Sequence, residues 1–375
     1  MKRILVWDVP TRVFHWTLAV AFALAWLTSE SDVWLSHHVF IGYLMLALLG
    51  FRMVWGFVGG AYARFGSFRF SPKTGLNYLR EVLAGRAARH IGHNPAGSQA
   101  IYLLLLLLLV VGATGIVTLG GDEQHGLASG WFAMASGRVL KKLHEAAATF
   151  MLLVVAGHVT GVLLESLQHK ENLARSMLTG FKLAPPEYLP SKPYRTVAAV
   201  LVLVLLAFGV WWFSYALRAP QHKASALAFV GPQLAINPRW RDECSSCHLS
   251  FHPSLLPRRS WQALIGQQAD HFGADLGLDA ATSASLLSYV VENAAEKHAT
   301  EAAFKIDASI AADVTPLRIT QTPYWIKKHR EITTVDWDLP WIKSKAHCEA
   351  CHHDAQAANF EDAAMEIPRT APIAR

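Results

Sequence analysis

Five long apolar stretches dominate the first 217 residues of the chain. They run over residues 12–29, 38–59, 98–119, 143–165 and 195–217. A helix needs about 20 apolar residues to cross the hydrocarbon core of a bilayer, so each stretch predicts a membrane-spanning helix. The first stretch is the shortest. We interpret it as a signal anchor and not as a cleaved signal peptide, because Phe14-His15-Trp16 interrupts its apolar core.

Basic residues cluster in three of the regions that flank these spans, namely the N-terminus, the loop after the second span and the loop after the fourth. They are Lys2, Arg3, Arg12, Arg64, Arg69, Lys73, Arg80, Arg86, Arg89, Lys170, Arg175, Lys182 and Lys192. The return loop 30–37 carries no lysine or arginine. Loops rich in lysine and arginine stay in the cytoplasm. We therefore expect a cytoplasmic N-terminus in a bacterial inner membrane, with the region after residue 217 in the periplasm.

The composition supports a membrane protein. Charged residues make up 17% of the 375 residues, whereas soluble domains carry about 25%. The formal net charge of +6 arises mostly from the basic loops and does not indicate nucleic-acid binding. The chain also contains 18 histidines, and histidine is a frequent ligand of haem iron.

The four cysteines fall into two short motifs, Cys244-Ser-Ser-Cys247-His248 and Cys348-Glu-Ala-Cys351-His352. In this order, two thiols can add across the vinyl groups of a haem while the following histidine reaches the iron. A four-cysteine zinc site is the rival interpretation. It does not require a histidine directly after each pair, so the motifs predict two covalently bound haem c groups.

Four histidines lie within or at the ends of the predicted spans: His15, His38, His144 and His158. His144 and His158 are 14 residues apart, which is about 40° short of four helical turns, so they share one helix face about 21 Å apart. By depth in the membrane, His15 pairs with His158 and His38 with His144, which predicts two bis-histidine haem b sites. An interfacial, hydrogen-bonded histidine is the alternative for any single one.

His37 is an alternative to His38 as the ligand on the second span. We favour His38 because Gly42 follows one turn later on the same face, where a glycine lets a flat macrocycle approach.

A set of distinctive strings runs through this region: Val6-Trp-Asp-Val-Pro-Thr-Arg-Val-Phe-His15-Trp16, His38-Val-Phe-Ile-Gly-Tyr, Phe51-Arg52-Met-Val-Trp55-Gly56, Gly92-His-Asn94-Pro95-Ala-Gly97, Leu143-His144-Glu145, His158-Val-Thr-Gly161 and Asn172-Leu-Ala-Arg-Ser-Met-Leu-Thr-Gly180. Together they resemble the bacterial di-haem cytochrome b family, which includes the b-type subunits of nickel–iron hydrogenases and the superoxide:quinone oxidoreductases. The resemblance covers residues 3–183, and the family's ligand pattern implies haem b at the same four histidines.

After residue 217 the pattern changes, and segments 259–272 and 280–296 predict short amphipathic helices. Each haem c iron needs a sixth ligand. We favour His271, 23 residues after His248, and His329, 23 residues before His352. Met365 is an alternative. His347 and His353 flank the second motif too closely to reach its iron easily. For His252 and His298 we expect solvated surface roles.

Besides the two cysteine motifs, the region contains the strings Leu255-Leu-Pro-Arg-Arg-Ser-Trp261, His271-Phe-Gly273, Arg318-Ile-Thr-Gln-Thr-Pro-Tyr-Trp325 and His329-Arg-Glu331. With these strings it resembles the di-haem cytochrome c domain over residues 240–367, and the resemblance strengthens His271 and His329 as axial ligands.

The sequence thus predicts an all-α protein in three parts. Residues 1–183 form a transmembrane four-helix bundle with two haem b. Residues 184–220 supply a loop and a fifth, tethering span. Residues 221–375 form a small, mostly helical periplasmic domain with two haem c. The expected partners are membrane lipid, quinone and a periplasmic redox protein.

The predicted function is transmembrane electron transfer between the quinone pool and that periplasmic protein. Arg52, Arg64 and Asn94 are candidates to contact haem propionates or a quinone, with membrane-edge charges and a loop turn as the alternative. Two other functions remain open. One is superoxide oxidation at the outer haem b, with Lys141 and Lys142 attracting the anion. The other is a membrane subunit of a hydrogenase or another dehydrogenase.

Overall fold

A computed structural model describes residues 1–30, 34–123, 126–128, 131, 137–218, 237–361 and 364–368. The chain divides into two compact units, Met1–Ile116 with Val139–Tyr215 and Val117–Arg138 with Ala216–Arg375. We call the first unit the bundle and residues 237–368 the C-terminal domain. Residues 219–236, which follow the fifth predicted span, lie outside the described residues, as do residues 31–33 of the first return loop.

Seven helices occupy the described residues of the N-terminal part, and they confirm the predicted all-α class. They are α1 Val9–Leu27, α2 Leu35–Val58, α3 Pro72–Leu83, α4 Pro95–Asp122, α5 Gly137–Gln168, α6 Leu173–Thr179 and α7 Arg195–Arg218. By length and composition, α2, α4, α5 and α7 can each cross a membrane. The first predicted span forms α1, which has 19 residues and is not among these four because Arg12 and His15 lower its hydropathy.

The core of the bundle lies between α1, α2, α4 and α5. Its buried side chains come from all four helices. Gly112 allows close packing, since a Cβ there would lie 2.3 Å from the side chain of Leu46. The fifth predicted span, α7, contacts α2 through Phe40, whose ring stacks on Phe208 at 4.5 Å and on Trp212 at 4.3 Å. Much of the remaining apolar surface of these helices is exposed, as expected for lipid contact.

One end of the bundle carries a small antiparallel sheet that the sequence did not predict. Strand β1, Lys2–Leu5, pairs with β2, Phe181–Ala184. Helix α6 ends at Gly180, whose φ of 89° favours glycine, and the Gly180 carbonyl accepts hydrogen bonds from the backbone N–H groups of Val6 and Trp7. The sheet therefore ties the segment after α5 to the segment that leads into α1.

The buried Asp8 carboxylate fixes the start of α1 at the same end. It caps the helix by accepting from the Thr11 N–H at 2.8 Å, and it also accepts from the Trp55 indole and the Gly60 N–H. A Cβ on Gly60 would lie 2.3 Å from this carboxylate, so only glycine leaves room for the contact. Asp8 thus sets the position of α1 against the end of α2, and with it the position of His15.

The C-terminal domain consists of six short helices joined by 3₁₀ turns. They are α8 Pro238–Cys244, α9 Arg258–Gly266, α10 Ala280–Glu292, α11 Glu301–Ser309, α12 Pro323–Lys328 and α13 Thr334–Trp337. Its main core packs α8, α9 and α10 around Trp240, Trp261, Leu286 and Val290.

The two helices predicted in this domain form but end early. The first stops at Gly266, a 3₁₀ turn follows over Gln268–Asp270, and positive φ angles at Phe272 and Gly273 reverse the chain. This reversal leaves His271 on a turn and not on a helix. The second prediction, 280–296, forms α10 only as far as Glu292.

Candidate haem sites

The rings of His38 on α2 and His144 on α5 face each other in the bundle, with centroids 6.2 Å apart and ring planes at 87°. The Nδ1 atom of His38 lies 2.9 Å from the Ala25 carbonyl, and that of His144 lies 3.1 Å from the Val111 carbonyl. A carbonyl only accepts hydrogen bonds, so each Nδ1 carries a proton and each Nε2 keeps a free lone pair. This is the arrangement in which a histidine binds a metal through Nε2.

The spacing between these rings fits a single metal ion between them. With metal–nitrogen bonds of about 2.0 Å, two imidazoles on opposite sides of an ion have centroids roughly 6.3 Å apart. The same spacing occurs twice in the C-terminal domain, at 6.3 Å between His248 and His271 and at 6.1 Å between His329 and His352. Three of the four histidine pairs expected from the sequence therefore have the separation that an axially ligated haem iron requires.

The fourth expected pair, His15 on α1 and His158 on α5, lies close enough for the two imidazoles to interact electrostatically. His15 Nδ1 is buried and finds no hydrogen-bond partner in the described part of the chain. The glycines near His158 leave room for a flat group, because a Cβ on Gly157 or Gly161 would have no atom within 4 Å. The same holds for Gly42, one turn after His38 on α2.

His37, the alternative to His38, faces a different neighbour. Its ring packs edge-on against Trp34 at 5.1 Å and against Trp212 of α7 at 5.6 Å. The structure therefore brings His38, and not His37, to His144.

Arg52, one of the predicted polar contacts, lies buried in the bundle with 4% of its surface exposed. Its Nη2 donates to the Ala63 carbonyl at 3.1 Å, and its guanidinium lies over the Phe65 ring. Its Nη1 is buried without a partner among the described residues. Because buried polar groups are normally hydrogen-bonded, this N–H can accommodate an anionic or carbonyl group such as a haem propionate.

The other two predicted polar contacts are placed differently. The Arg64 side chain is exposed. The Asn94 side chain is already engaged within the bundle, since its Nδ2 donates to Glu165 at 2.6 Å and its Oδ1 accepts from the Gly97 N–H at 2.6 Å.

His93 is a buried histidine that the sequence analysis did not single out. Its ring packs between Trp7 at 4.7 Å and Phe68 at 4.3 Å, and its Nδ1 has no partner within the described ranges. Burial, and then the charge of Arg52, lower the pKa of His93 to about 3. The turn between Gly92 and Pro95 was the available sequence signal for His93. The burial of His93, however, depends on packing against residues distant in sequence.

In the C-terminal domain, each pair of cysteines precedes a histidine whose ring meets a second histidine. Cys244 ends α8, and the Nδ1 of His248 lies 2.7 Å from the Leu249 carbonyl. The Nδ1 of His329 lies 2.9 Å from the Trp325 carbonyl, and the Trp325 ring stacks on the His329 ring at 4.1 Å. As in the bundle, these contacts leave Nε2 available for a metal.

Burial favours the neutral imidazoles of His271, His329 and His352, which is the form that binds a metal. It lowers the pKa of His352 to about 4 and lowers the pKa values of His271 and His329.

The rival zinc interpretation finds no support in the described residues, which include all four cysteines. They contain no group of three or more histidine, cysteine, aspartate or glutamate side chains that could hold a metal ion. All four thiols are free of disulfide bonds. A haem fits this arrangement because the macrocycle supplies four ligands and leaves only two positions for the protein.

A cavity of about 890 Å³ opens beside the first motif, where Cys247 and His248 line it together with His252. Residues around the second motif, His347 and Glu349, line it as well. Its volume lies within the range of about 300–1,000 Å³ that is common for ligand and cofactor pockets.

The remaining histidines of this domain have protein partners. His298 pairs with Asp307 at 2.9 Å, and the Nδ1 of His347 lies 2.9 Å from the Ile342 carbonyl. His252, expected on the solvated surface, is instead largely buried and lies 2.6 Å from the Ser254 hydroxyl. Met365 pairs through its backbone with His352, and its side chain is 38% exposed.

The buried His252 predicts a pH-dependent stability. Burial lowers its pKa to about 4 from the ordinary 6.5, so the unfolded chain binds a proton more readily than the folded chain between these values. The stability conferred by neutral His252 is therefore present above pH 6.5 and is lost as the pH falls towards 4, by on the order of 2 kcal/mol.

His252→Asn keeps an acceptor for the Ser254 N–H but does not titrate in this range. We expect denaturant unfolding of the C-terminal domain to depend less on pH in this variant than in the wild type between pH 7 and 4.5. An equal pH dependence of the unfolding free energy in the two proteins would contradict the role given to His252.

Comparison with known proteins gives two family matches. Residues 6–180 match the family model of the prokaryotic cytochrome b561, and residues 240–360 match that of the dihaem cytochrome c. A probable Ni/Fe-hydrogenase B-type cytochrome subunit of Cupriavidus necator is 23% identical over 220 residues, which cover 48% of this chain and 88% of the relative. A probable Ni/Fe-hydrogenase 1 B-type cytochrome subunit of Escherichia coli is 24% identical over 210 residues, which cover 47% of this chain and 89% of the relative.

Two solved structures resemble the C-terminal part of the chain. A diheme cytochrome c from Rhodobacter sphaeroides is 35% identical, with 34% of this chain and 100% of that chain covered and a TM-score of 0.31. A diheme cytochrome type c from Shewanella baltica is 28% identical, with 36% of this chain and 96% of that chain covered and a TM-score of 0.30. The domain assignment rests on the family models, which confirm both predicted resemblances. Residues 6–180 belong to the prokaryotic cytochrome b561 family, and residues 240–360 of the same chain form a dihaem cytochrome c domain.

Proposed function

We propose that this chain holds two haem b and two haem c groups and conducts electrons across a membrane between the quinone pool and a periplasmic redox protein. The observation that carries the proposal is the ring spacing of 6.1–6.3 Å in three histidine pairs. Two imidazoles at this distance fill both axial positions of an iron and leave none open for oxygen or substrate. Such sites are suited to electron transfer.

Each histidine pair has a defined role in this proposal. His15 with His158 and His38 with His144 ligate the two haem b irons. His248 with His271 and His352 with His329 ligate the two haem c irons. Cys244 and Cys247 bind one haem c covalently, and Cys348 and Cys351 bind the other. When bound, haem supplies a one-electron iron couple, and the protein sets its spacing, potential and access.

The orientation of the haem path across the membrane follows from the distribution of basic residues. With the N-terminus in the cytoplasm, the His15–His158 site lies towards the cytoplasmic side and the His38–His144 site towards the periplasmic side. Residues 221–375 then form a periplasmic domain, residues 1–183 the haem b domain, and residues 184–220 the connecting span. Electrons would move between the two ends through the four haems.

A quinone would react at the cytoplasmic side in this arrangement. The free Nη1 of Arg52 and the free Nδ1 of His93 are the groups that support a polar site there. Arg52 can hold a haem propionate or a quinone carbonyl through this N–H. Arg64 stays a candidate for a surface contact, and Asn94 contributes by holding Glu165.

A second function is favoured by the curated relatives, which are probable b-type subunits of nickel–iron hydrogenases. In this alternative the chain is the membrane subunit of a hydrogenase or another dehydrogenase. The electrons would then enter from a partner protein and pass to the quinone through the bundle.

Replacement of His38 tests the ligand assignment, with His37 as the matched control. His38→Ala should lower the haem b content from two to one per chain, because His144 loses its opposing imidazole. His37→Ala removes an identical side chain one position away that packs on Trp212, so it should retain both haem b groups. The haem b content of the purified variants, measured per chain by pyridine haemochrome spectra, checks this. A normal content in His38→Ala would overturn the assignment.

Stopped-flow spectroscopy with a short-chain quinol tests the function. We expect the quinol to reduce haem b first and haem c afterwards in the purified protein, since the only proposed path to the C-terminal domain runs through the bundle. In His38→Ala, haem b reduction should persist and haem c reduction should be lost. Haem c reduction that is unaffected in this variant would contradict the four-haem path.

The same preparation separates the two candidate functions. Co-purification of a large dehydrogenase subunit that reduces haem b from its own substrate would favour the subunit role. Absence of any reaction with quinols or quinones would exclude the quinone part of both.

A further inference from the structure

Glu165 carries a carboxyl group that is buried near the end of α5. It follows His158 by seven residues, which is about 20° short of two helical turns, so it lies on the same face of α5 roughly 10.5 Å further along the axis. Only 8% of its surface is exposed. A carboxyl group in such a position is costly to bury unless it is hydrogen-bonded or protonated.

Two neutral polar groups flank this carboxyl. The Asn94 Nδ2 at the start of α4 donates to Glu165 Oε1 at 2.6 Å. The Tyr78 hydroxyl of α3 interacts with Glu165 electrostatically and donates its proton to the Ala88 carbonyl at 2.8 Å.

The nearby cationic side chains make their closest contacts with groups other than Glu165. Lys182 and His169 interact with Glu165 electrostatically. However, the Lys182 ammonium donates to the His90 carbonyl at 3.0 Å and lies 3.7 Å from Glu171. Glu171 in turn accepts from Arg89 at 2.9 Å. Glu165 is therefore held in place mainly by neutral hydrogen-bonding groups, which allows it to exist with or without its proton.

A polar path connects Glu165 to the surface of the bundle. The next turn carries Gln168 and His169, and the Gln168 Nε2 and Oε1 and the His169 Nε2 are buried with no partner in the described residues. Buried polar atoms of this kind bind ordered water. Beyond them lies the Glu171–Arg89 ion pair, whose side chains are 18% and 26% exposed.

Polar groups also continue from Glu165 towards the His15–His158 pair. Asn94, which holds the carboxyl, directly follows His93 in the chain. The His93 imidazole interacts electrostatically with His158 and Arg52, and its Nδ1 lies buried without a partner in the part of the chain described. Glu165 thus stands between an accessible ion pair and the polar groups around the proposed cytoplasmic haem b.

We propose that Glu165 transfers protons between the Glu171–Arg89 end of the bundle and a quinone that reacts beside the His15–His158 pair. The inference rests on the proposed quinone reaction. Reduction of a quinone to a quinol takes up two electrons, which bound haem would supply one at a time, and two protons. For each proton, the Glu165 carboxyl releases a proton towards the quinone oxygens, becomes a carboxylate and is reprotonated from the side of Glu171, so that it passes two protons per quinone. Quinol oxidation reverses each step.

Glu165 acts here as a proton relay and does not itself touch the iron. The alternative is a purely structural role, in which the carboxyl only orders Asn94 and the start of α4. Glu165→Gln distinguishes the two roles, because glutamine keeps an oxygen that accepts from Asn94 but cannot release or take up a proton. Glu165→Asp restores a carboxyl group. Glu187→Gln, at an exposed carboxylate in the loop after β2, is the matched control for loss of one charge.

The experiment measures haem b reduction by a short-chain quinol between pH 6 and 9, together with quinone reduction by the pre-reduced protein. Glu165→Gln should slow both reactions roughly a hundredfold and abolish their pH dependence over this range. Glu165→Asp should recover a substantial part of the rate, and Glu187→Gln should match the wild type. Haem b spectra and reduction by dithionite, which needs no proton from a quinol, should be unchanged in all variants.

Three outcomes would overturn the proposal. Wild-type rates and pH profile in Glu165→Gln would show that no proton passes through this residue. Equal defects in Glu165→Gln and Glu165→Asp, with altered haem b spectra, would indicate a structural role. A wild-type protein that reduces with dithionite but does not react with the quinol would refute the proposed quinone reaction itself, and the proton path with it.

Discussion

The structure depends on one geometric requirement, which is that pairs of imidazoles be held 6.1–6.3 Å apart, the spacing at which one metal ion fits between them. In the bundle this requirement is met by rigid helices. His38 and His144 are each oriented by a carbonyl on a neighbouring helix, Ala25 on α1 and Val111 on α4. The four helices that form the apolar core therefore also fix the tautomer and direction of these two histidines, which are the proposed ligands.

The C-terminal domain meets the same requirement without long helices. His248 and His271 are brought together by a turn, and His329 stands at the end of the short helix α12. The two cysteines of each motif, four residues and one residue before its histidine, can anchor the macrocycle covalently, which would compensate for the small apolar core. We expect this domain to owe much of its stability to the bound groups, because a domain of this size buries little surface on its own.

The sequence was sufficient for the features that depend on local spacing. The two cysteine motifs, the helical period that places His144 and His158 on one face, and the apolar spans can all be recognised within short windows. The roles of the axial histidines remain predictions, although the structure brings the expected pairs together. The ends of α9 and α10 were misjudged because the amphipathic pattern continues past residues where backbone turns begin.

Other features could not be predicted because they arise from residues far apart in the chain. Strand β1 pairs with a segment about 180 residues later, and each strand has only four residues, too few for a clear alternating pattern. The Asp8 contacts with Trp55 and Gly60, and the Glu165 contact with Asn94, also join distant segments. Nothing in the local sequence distinguishes these buried carboxylates, or His93, from solvated polar residues.

The most direct test of the account is the number and type of haem groups in the purified, membrane-extracted chain. A pyridine haemochrome spectrum, with acid–acetone extraction to separate covalent from non-covalent haem, measures both. The account predicts two haem b and two haem c per chain. A chain that carries two haem c and no haem b would contradict the histidine pairs of the bundle, and the transmembrane electron path would fall with them.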